Sequence, residues 1–308
     1  CSSTSQAETC EMSVQSALPR PLQGQGGDDL MHFGFLTIYW RDMIRFVRFR
    51  TLLVSSLVQP ALWMAFFGIA MSASFNRLTP DVPPIPGVPP IGYLTFMAAG
   101  VIAMTTLFTS LFGGMVLLFD KNWGLLREVM ASPLPRDHVI FGIALSGMTK
   151  SFIQALIIMV FGMLLGAEFF RGYSAGQVAI SVLGILLFVG IFSLGFLFLS
   201  AAIAISLESP EGMQGIMTLL TMPIFFASNA LYPVNAFPPV LQAVSIGNPL
   251  THLVNGIRYF AIGDRYQAIG VLYTTTPSGL LFSLSVLVVF GLAMFGLAWW
   301  RFQRAVVT

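Results

Sequence analysis

The chain has 308 residues, of which 56% are hydrophobic and only 9% are charged. Soluble domains are typically about 45–50% apolar and about 25% charged. The mean hydropathy of +0.82 is likewise too high for a surface that faces water on all sides. This composition excludes a cytosolic enzyme, a nucleic-acid-binding protein and a disordered chain. The formal net charge of +2 is too small to indicate an anionic partner, and the chain is predicted to be a polytopic membrane protein.

Residues 1–32 are rich in Ser, Gln, Gly, Pro and Asp and are predicted to form a flexible tail. The first residue, Cys1, has two interpretations: a lipidated N-terminus, or an uncertain start site for which Met12 and Met31 are the natural alternatives. The two Cys residues lie near the start and the three His residues are scattered, so the ligand spacing of a zinc site is missing. No metal site is expected.

Residues 33–50 carry basic side chains at helical spacing. Arg41, Arg45 and Arg48 lie at i, i+4 and i+7 and share one helix face, while most of the other positions are aromatic or aliphatic. This pattern predicts a helix lying in the membrane interface, with the arginines near anionic headgroups. Simple anchoring by positive charge explains the same residues without any partner.

A membrane-spanning helix needs about 20 consecutive, mostly apolar residues. Six segments meet this requirement, and a shorter apolar stretch, 241–261, is interrupted by Gly247-Asn248-Pro249. The predicted spans are residues 51–73, 91–119, 139–167, 177–206, 213–232 and 279–300. The predicted fold is therefore an all-α polytopic membrane protein with six transmembrane helices, an N-terminal interfacial helix and a broken re-entrant hairpin before the last span.

The distribution of Lys and Arg predicts the orientation of these spans. With the N-terminus inside, ten of the 15 basic residues lie in inner segments and four in outer segments, and Lys150 lies in the third span. The inner residues are Arg20, Arg41, Arg45, Arg48, Arg50, Lys121, Arg127, Arg136, Arg301 and Arg304, and the outer residues are Arg77, Arg171, Arg258 and Arg265. Both termini are therefore expected in the cytoplasm, and the protein is expected in the cell membrane.

Residues 120–137 form the one substantial inner loop of this topology. Residues 123–131 are compatible with a helix, and Pro133 and Pro135 end it. Charged and apolar residues alternate along the loop, which suits a short helix that docks into a groove on a soluble partner. A solvated turn is the simpler alternative.

Lys150 is the one charge within a predicted span. A cation inside the membrane is costly and indicates function. Because residues 151–167 alone are just long enough to span, Lys150 is instead expected to mark the cytoplasmic edge of the third span. Neither interpretation supplies the intramembrane acid or His relay that a proton-driven carrier needs.

The chain has only two Lys residues, Lys121 and Lys150, and neither follows Gly. A GxxxxGK[ST] phosphate-binding loop therefore cannot exist in this sequence. The HExxH and GxSG patterns of the commonest intramembrane hydrolases are absent as well. If a substrate crosses the membrane here, the energy is expected to come from another chain.

Residues 225–264 contain several short motifs in a fixed order. These are Leu231-Tyr232-Pro233, then Phe237-Pro238-Pro239-Val240-Leu241, then Asn248-Pro249-Leu250-Thr251, followed by Arg258 and Gly263. Their order and spacing resemble the final outer loop of type-2 ATP-binding-cassette (ABC) exporter permeases. Residues 128–136 resemble the cytoplasmic coupling segment of that family, and the resemblance covers residues 33–305. The sequence departs from the family at Asn255, where an acid is common, and at Gly142-Ile143, where a Gly-Lys pair is common.

The resemblance implies a half-transporter whose two six-helix permease subunits, identical or paralogous, pair with two soluble ATPase subunits. ATP and Mg would be bound by the partner ATPase, and this chain would hold no cofactor. The implied ATPase-coupling residues are Leu125, Leu126, Arg127, Glu128, Val129, Arg41, Arg45 and Arg48. The implied outer gate, within 233–262 and its approach, contains Tyr232, Pro233, Pro238, Pro239, Asn248, Pro249 and Arg258. The implied translocation path contains Met104, Phe108, Met222 and Pro223, with a kink at Pro223. Drugs, lipids and polysaccharides are the substrates of such exporters.

Two other classes of protein remain as alternatives. A secondary transporter would need no ATPase, but the sequence has no evident inverted repeat and no intramembrane carboxylate. A membrane enzyme acting on lipids would depend on a few polar residues of the last outer loop. Its candidate residues are His252, Arg258, Asp264 and Arg265.

Overall fold

The computed structural model describes residues 34–78, 85–125, 136–268 and 270–304. The bundle lies within residues 35–308, which form one compact unit. The predicted tail, 1–32, lies outside the described residues. The helices are α1 (Gly34–Arg48), α2 (Arg50–Leu62), α3 (Ile69–Leu78), α4 (Tyr93–Gly113), α5 (Met115–Asn122), α6 (Arg136–Leu164), α7 (Ala175–Ser206), α8 (Pro210–Phe226), α9 (Pro239–Gly247), α10 (Pro249–Ala261) and α11 (Pro277–Arg304). The strands are β1 (Pro90–Ile91), β2 (Arg265–Ala268) and β3 (Val271–Thr274).

Five helical stretches in the described part of the chain are long and apolar enough to cross a membrane. They are Val54–Ser74, Tyr93–Asn122, His138–Leu164, Ala175–Ser206 and Pro277–Arg304. The prediction of an all-α polytopic membrane protein is therefore confirmed. The interfacial helix is present as α1, a separate helix before the first span.

The segment predicted as the fifth span forms α8, which has 17 residues and ends at Phe226 rather than at residue 232. The helix begins at a cap, where Ser209 Oγ accepts a hydrogen bond from the backbone N–H of Gly212 at 3.1 Å. At its other end, Ser228 Oγ donates to the carbonyl of Phe225 at 2.6 Å and accepts from the N–H of Ala230 at 3.2 Å. These local bonds compete with further helix. The total of six spans stays a prediction.

The first span changes its helical geometry midway. Residues Trp63–Gly68 form a π-helical stretch between α2 and α3. Pro60 lies inside α2 just before this stretch and has no N–H to donate to the helical ladder. Irregular helical turns of this kind are common at functional sites.

Helices α4 and α7 form the centre of the bundle, and α7 packs against α4, α6, α10 and α11. The break between α4 and α5 lies where Ser200 of α7 inserts: its hydroxyl donates to the carbonyl of Leu111 and accepts from the N–H of Gly114 at 3.0 Å. A Cβ on Gly114 would lie 2.4 Å from Ser200 Oγ, so only glycine allows this approach. The inserted side chain is the physical cause of the break.

Between α8 and the last span the chain forms a broken helix pair and a small sheet. Helices α9 and α10 are separated at Asn248, as the Gly-Asn-Pro sequence predicts. Strand β2 pairs in parallel with β1 and antiparallel with β3. The sequence did not predict this sheet, because strands of two to four residues are too short to show a two-residue period.

Candidate functional site

The arginines of α1 contact the end of α5. Arg41 Nη2 donates to Asp120 Oδ2, and Arg45 Nη1 lies 3.8 Å from Asp120 Oδ1. The Asp120 side chain is 5% exposed, whereas the two arginines are about one-third exposed. A buried carboxylate is tolerated only when it is paired and hydrogen-bonded. These two ion pairs therefore hold α1 against the base of the second span.

A third ion pair joins α1 to α6. Lys150 Nζ lies 2.6 Å from Asp42 Oδ2, and Ser146 Oγ donates to the same oxygen. The Asp42 side chain is 4% exposed and that of Lys150 is 14% exposed. The Lys150 ammonium also lies 5.5 Å from the ring centre of Phe46. We call Arg41, Asp42, Arg45, Asp120, Ser146 and Lys150 together the polar cluster.

Lys150 therefore has a counterion on the interfacial helix. The expected place of Lys150 at the edge of the third span stays a prediction, since α6 continues past it to Arg136 and the apolar stretch His138–Leu164 contains Lys150 near its middle. Asp42 was not singled out from the sequence. The signal that points to it is an acid in the middle of a helix whose other charges are all basic.

The arginines of α1 differ in their surroundings. Arg41 and Arg45 contact Asp120, while Arg48 is exposed. The reason is that the buried carboxylate of Asp120 needs cationic partners. The contact of this helix with lipid headgroups stays a prediction. An apolar exposed face of α1 contains Leu36, Trp40, Ile44 and Val47.

The end of α5 also contacts the turn between α7 and α8. Lys121 Nζ donates to the carbonyls of Ile205 at 2.9 Å and Leu207 at 3.0 Å, at the C-terminus of α7. Asn122 Nδ2 donates to the carbonyl of Glu208 at 3.0 Å. Carbonyls at a helix C-terminus have no partner within the helix, and a cation satisfies them well. Three consecutive residues, 120–122, thus connect α1 with the α7–α8 turn.

The predicted coupling segment, 120–137, begins with this junction. Trp123 is 66% exposed, stacks on Phe119 with 5.5 Å between ring centres, and lies under the Arg45 guanidinium at 5.4 Å. Leu125 is half-buried. The remaining predicted coupling residues lie outside the described residues: Leu126, Arg127, Glu128 and Val129.

Asn248 holds the broken helix pair in place. Its Oδ1 accepts from the N–H of Leu250 at 3.0 Å, which caps α10, and its Nδ2 donates to the carbonyl of Ile224 at 2.6 Å. Pro249 follows at the first position of α10, where the missing N–H costs nothing. One side chain thus caps α10 and ties it to α8.

The segment that precedes the helix pair, residues 232–239, lies at the surface. Tyr232 is 37% exposed, and Pro233 precedes the short 3₁₀ turn Val234–Ala236. Pro238 and Pro239 are exposed at the start of α9, and Pro239 occupies its first position. Four of the seven predicted gate residues therefore belong to one segment, 232–239, at the surface. The other three lie on or next to α10: Asn248 and Arg258 are buried, and Pro249 is half-buried.

Arg258 is buried at the centre of this end of the bundle, with 2% of its surface exposed. Its Nη2 lies within hydrogen-bond distance of the carbonyls of Phe96 (3.1 Å), Asn229 (3.0 Å) and Ala230 (3.2 Å). The guanidinium lies 3.5 Å from the ring centre of Phe96. It therefore ties α10 to α4 and to the segment after α8.

The segment after α8 approaches α4 very closely. A Cβ at Gly100 would lie 2.2 Å from the carbonyl oxygen of Ala230, so a side chain there would displace one of the carbonyls that Arg258 binds. Thr95, one turn earlier on α4, accepts from the N–H of Glu168 at 2.9 Å. The N-terminal half of α4 is thus the surface on which these loops assemble.

The four residues predicted for the translocation path lie in different surroundings. Met104 is 3% exposed in the core of the bundle, and half-buried Phe108 lies next to Phe112 with 6.4 Å between ring centres. Met222 and Pro223 lie on the exposed face of α8 and line an open groove. Met222 and Pro223 of α8 are therefore at the surface, whereas Met104 and Phe108 of α4 are buried or half-buried within the bundle.

The residues proposed for a lipid-acting enzyme are only partly brought together. His252 and Arg258 line one cavity, while Asp264 and Arg265 do not. The His252 ring nitrogens lie 3.1 Å from Ser283 Oγ and 2.9 Å from the carbonyl of Ile246. Among the described residues no group of three or more His, Cys, Asp or Glu is placed to hold a metal ion.

Comparison with known proteins agrees with this architecture. The sequence profile of the family described as ABC-2 type transporter matches residues 34–261. The transport permease ycf38 of Porphyra purpurea is 28% identical over 209 residues, 67% of this chain and 66% of the relative. The daunorubicin resistance ABC transporter permease protein DrrB1 of Streptomyces coeruleorubidus is 24% identical over 72% of this chain and 73% of the relative. The inner membrane transport permease YadH of Escherichia coli is 22% identical over 87% of this chain and 94% of the relative. Since the matched region contains the polar cluster and the broken helix pair, the chain belongs to the ABC-2 type transporter family of membrane permeases.

Proposed function

We propose that this chain is the membrane-spanning permease subunit of an ATP-driven ABC exporter. It forms the path for an amphipathic, lipidic or glycan substrate, and a separate cytoplasmic ATPase binds ATP and Mg. The family match over residues 34–261 supports a transport permease. The sequence has no phosphate-binding loop of its own, so ATP hydrolysis falls to the partner.

The observation that carries the coupling role is the polar cluster. Through it α1 is ion-paired to the end of α5 and to α6, and the next residues of α5 bond to the α7–α8 turn. A force applied to the segment after residue 125 therefore acts first on α5. Ion pairs and hydrogen bonds then transmit it to α1, α6 and the C-terminus of α7. We infer that docking of this segment into the ATPase moves the bundle as a unit.

A second permease copy, identical or paralogous, completes the path. The first span and α8 both expose large apolar side chains, and in α8 these lie beside the groove at Met222 and Pro223. The exposed residues are Val54, Val58, Leu62 and Phe66 on the first span and Leu219, Met222 and Phe226 on α8. These two faces are our candidates for the surface shared with the second copy and the surrounding lipid.

The relative DrrB1 is named as a daunorubicin resistance permease, which is consistent with an exporter of small molecules. An apolar path with few polar groups suits an amphipathic or lipid-linked substrate equally well. A secondary transporter remains the alternative function, and it would operate without any ATPase.

Coupling is tested by placing a charge in the predicted docking segment. Leu126 and Val129 lie three apart and share one face of the predicted helix. Replacing either by Asp puts an unpaired charge into a desolvated contact, at a cost of several kcal/mol, about that of a buried uncompensated ion. We expect Leu126→Asp and Val129→Asp to insert normally, to lose the co-purifying ATPase and to abolish export.

The matched control is Gln303→Asp, which adds the same charge at an exposed position near the end of α11. It should retain both the ATPase and export. If both loop variants retain the ATPase and export normally, the loop is a solvated turn and the coupling role passes to α1.

A further inference from the structure

A cavity of about 460 Å³ with a partly polar lining lies between α10, the β2–β3 hairpin and the start of α11. Its volume falls within the range of small-molecule sites, about 300–1,000 Å³. Its lining is unlike the apolar grooves elsewhere on the bundle, because it includes the side chains of Asn229, Asn255, Arg258, Tyr266 and Tyr273.

The charge on Arg258 has no acidic partner at this site. Among the described residues no carboxylate lies within ion-pair distance of its guanidinium, which bonds to backbone carbonyls and lies over the Phe96 ring. Carbonyl dipoles satisfy hydrogen bonds but do not neutralise a full charge. A buried cation is ordinarily paired with an anion.

Two buried donors at this cavity make no hydrogen bond to the described residues. They are Arg258 Nε and the Tyr273 hydroxyl, which come from α10 and β3. Burial raises the pKa of Tyr273 to about 12, so its hydroxyl keeps its proton and is a donor at physiological pH. Asn229 Oδ1 also makes no hydrogen bond to the described residues, but an amide oxygen accepts only and does not bind an anion. Nearly all buried polar atoms in proteins have a partner, so two such donors beside a buried cation indicate an anionic ligand.

We propose that this cavity binds a single oxyanion, a phosphate group, through Arg258 and the Tyr273 hydroxyl. Arg258 Nε and the hydroxyl donate to the anion, and the guanidinium supplies the compensating charge. The phosphate belongs either to free inorganic phosphate or to a lipid headgroup reaching in from the membrane. The inference concerns binding alone and does not depend on the proposed coupling to an ATPase.

The test uses the purified full chain in phosphatidylcholine nanodiscs, with unfolding followed by tryptophan fluorescence. Inorganic phosphate, titrated against chloride at constant ionic strength, is the first probe, and nanodiscs containing phosphatidylglycerol are the second. A saturable rise of the unfolding temperature with inorganic phosphate identifies a free anion. A rise with phosphatidylglycerol alone identifies a headgroup.

Tyr273→Phe isolates the proposed contact. It removes a hydroxyl that has no hydrogen-bond partner among the described residues and keeps the ring contacts to Phe96 and Tyr266, whose ring centres lie 5.5 and 5.0 Å away. We expect unfolding without ligand to be unchanged and half-saturation to move about tenfold higher, as for the loss of one hydrogen bond to a charged group. Tyr259→Phe, which removes a phenol outside the cavity, is the matched control and should bind as the natural chain does.

Asn255→Asp tests the charge. Asn255 lines the cavity three residues before Arg258 on α10, and its Oδ1 accepts from Asn229 Nδ2 at 2.7 Å, a bond that aspartate keeps. The new carboxylate should compete with the anion and abolish the saturable response. If neither probe gives a response, or if Tyr273→Phe and Asn255→Asp respond as the natural chain does, the proposal is wrong.

Discussion

Asp42 lies buried on an otherwise basic helix and accepts hydrogen bonds from Lys150 and Ser146. A buried ion pair contributes little net stability, because desolvating both ions costs about as much as their attraction returns. Removing one partner is different, since the remaining charge then stays buried without compensation. The pair therefore matters less for stability than for fixing where α1 packs on α6.

Asp42→Asn should destabilise the protein by about 3–5 kcal/mol, because the Lys150 ammonium loses its counterion while it stays mostly buried. The double variant Asp42→Asn with Lys150→Gln should recover much of that loss, since it removes both charges. The unfolding temperature in detergent, followed by tryptophan fluorescence, measures both effects.

The control is Glu168→Gln, which breaks the pair between Glu168 and Arg171. Both side chains of that pair are largely exposed, at 48% and 68%, so the loss should stay below about 1 kcal/mol. Equal unfolding temperatures for Asp42→Asn and the natural chain would show that the pair does not hold α1.

At the scale of elements, Asn248 has two separable roles at the break between α9 and α10. Its oxygen caps α10 and its amide nitrogen binds the carbonyl of Ile224 on α8. The cap concerns one helix, whereas the second bond holds the helix pair against the bundle. The two roles can be told apart by substitution.

Asn248→Ala should lower the unfolding temperature more than Asn248→Ser does. Serine supplies a neutral capping oxygen and loses only the bond to Ile224, while alanine also loses the cap, which contributes about 1 kcal/mol. The comparison is made on purified protein in detergent. A smaller loss for alanine than for serine would contradict the capping role.

The sequence predicted those elements that depend on local pattern. Hydropathy located the spans to within a few residues, and Gly247-Asn248-Pro249 marked the break between α9 and α10. The early end of α8 was missed, because it depends on side-chain bonds of Ser228 that hydropathy does not report. The three-stranded sheet was missed because β1 pairs with β2 across more than half of the chain.

The candidate sites were predicted less completely than the fold. Arg41, Arg45 and Lys150 were singled out from the sequence, but their acidic partners were not. Those partners, Asp42 and Asp120, come from pairings between distant segments, and a single sequence does not contain that information. The same limit applies to the carbonyls that Arg258 binds.

At the scale of the whole molecule, the excess of basic residues on one side predicts that both termini are cytoplasmic. Asn122 and Asn235 are both exposed, and they lie on segments that this topology assigns to opposite sides of the membrane. In a chain without Cys1 and Cys10, a cysteine at position 235 should react with an impermeant thiol reagent in intact cells, and one at position 122 should react only after the cells are opened. Labelling of position 122 in intact cells would reverse the orientation.

We expect this permease to depend on a separate ATPase for its energy. ATP hydrolysis by the tagged chain purified from its native membrane, before and after removal of the proteins that co-purify with it, tests this dependence. A Walker-motif ATPase should co-purify in equal amount, and hydrolysis should be lost when it is removed and return when it is added back. Hydrolysis by the isolated chain, or export that continues without any ATPase, would show that this chain needs no such partner.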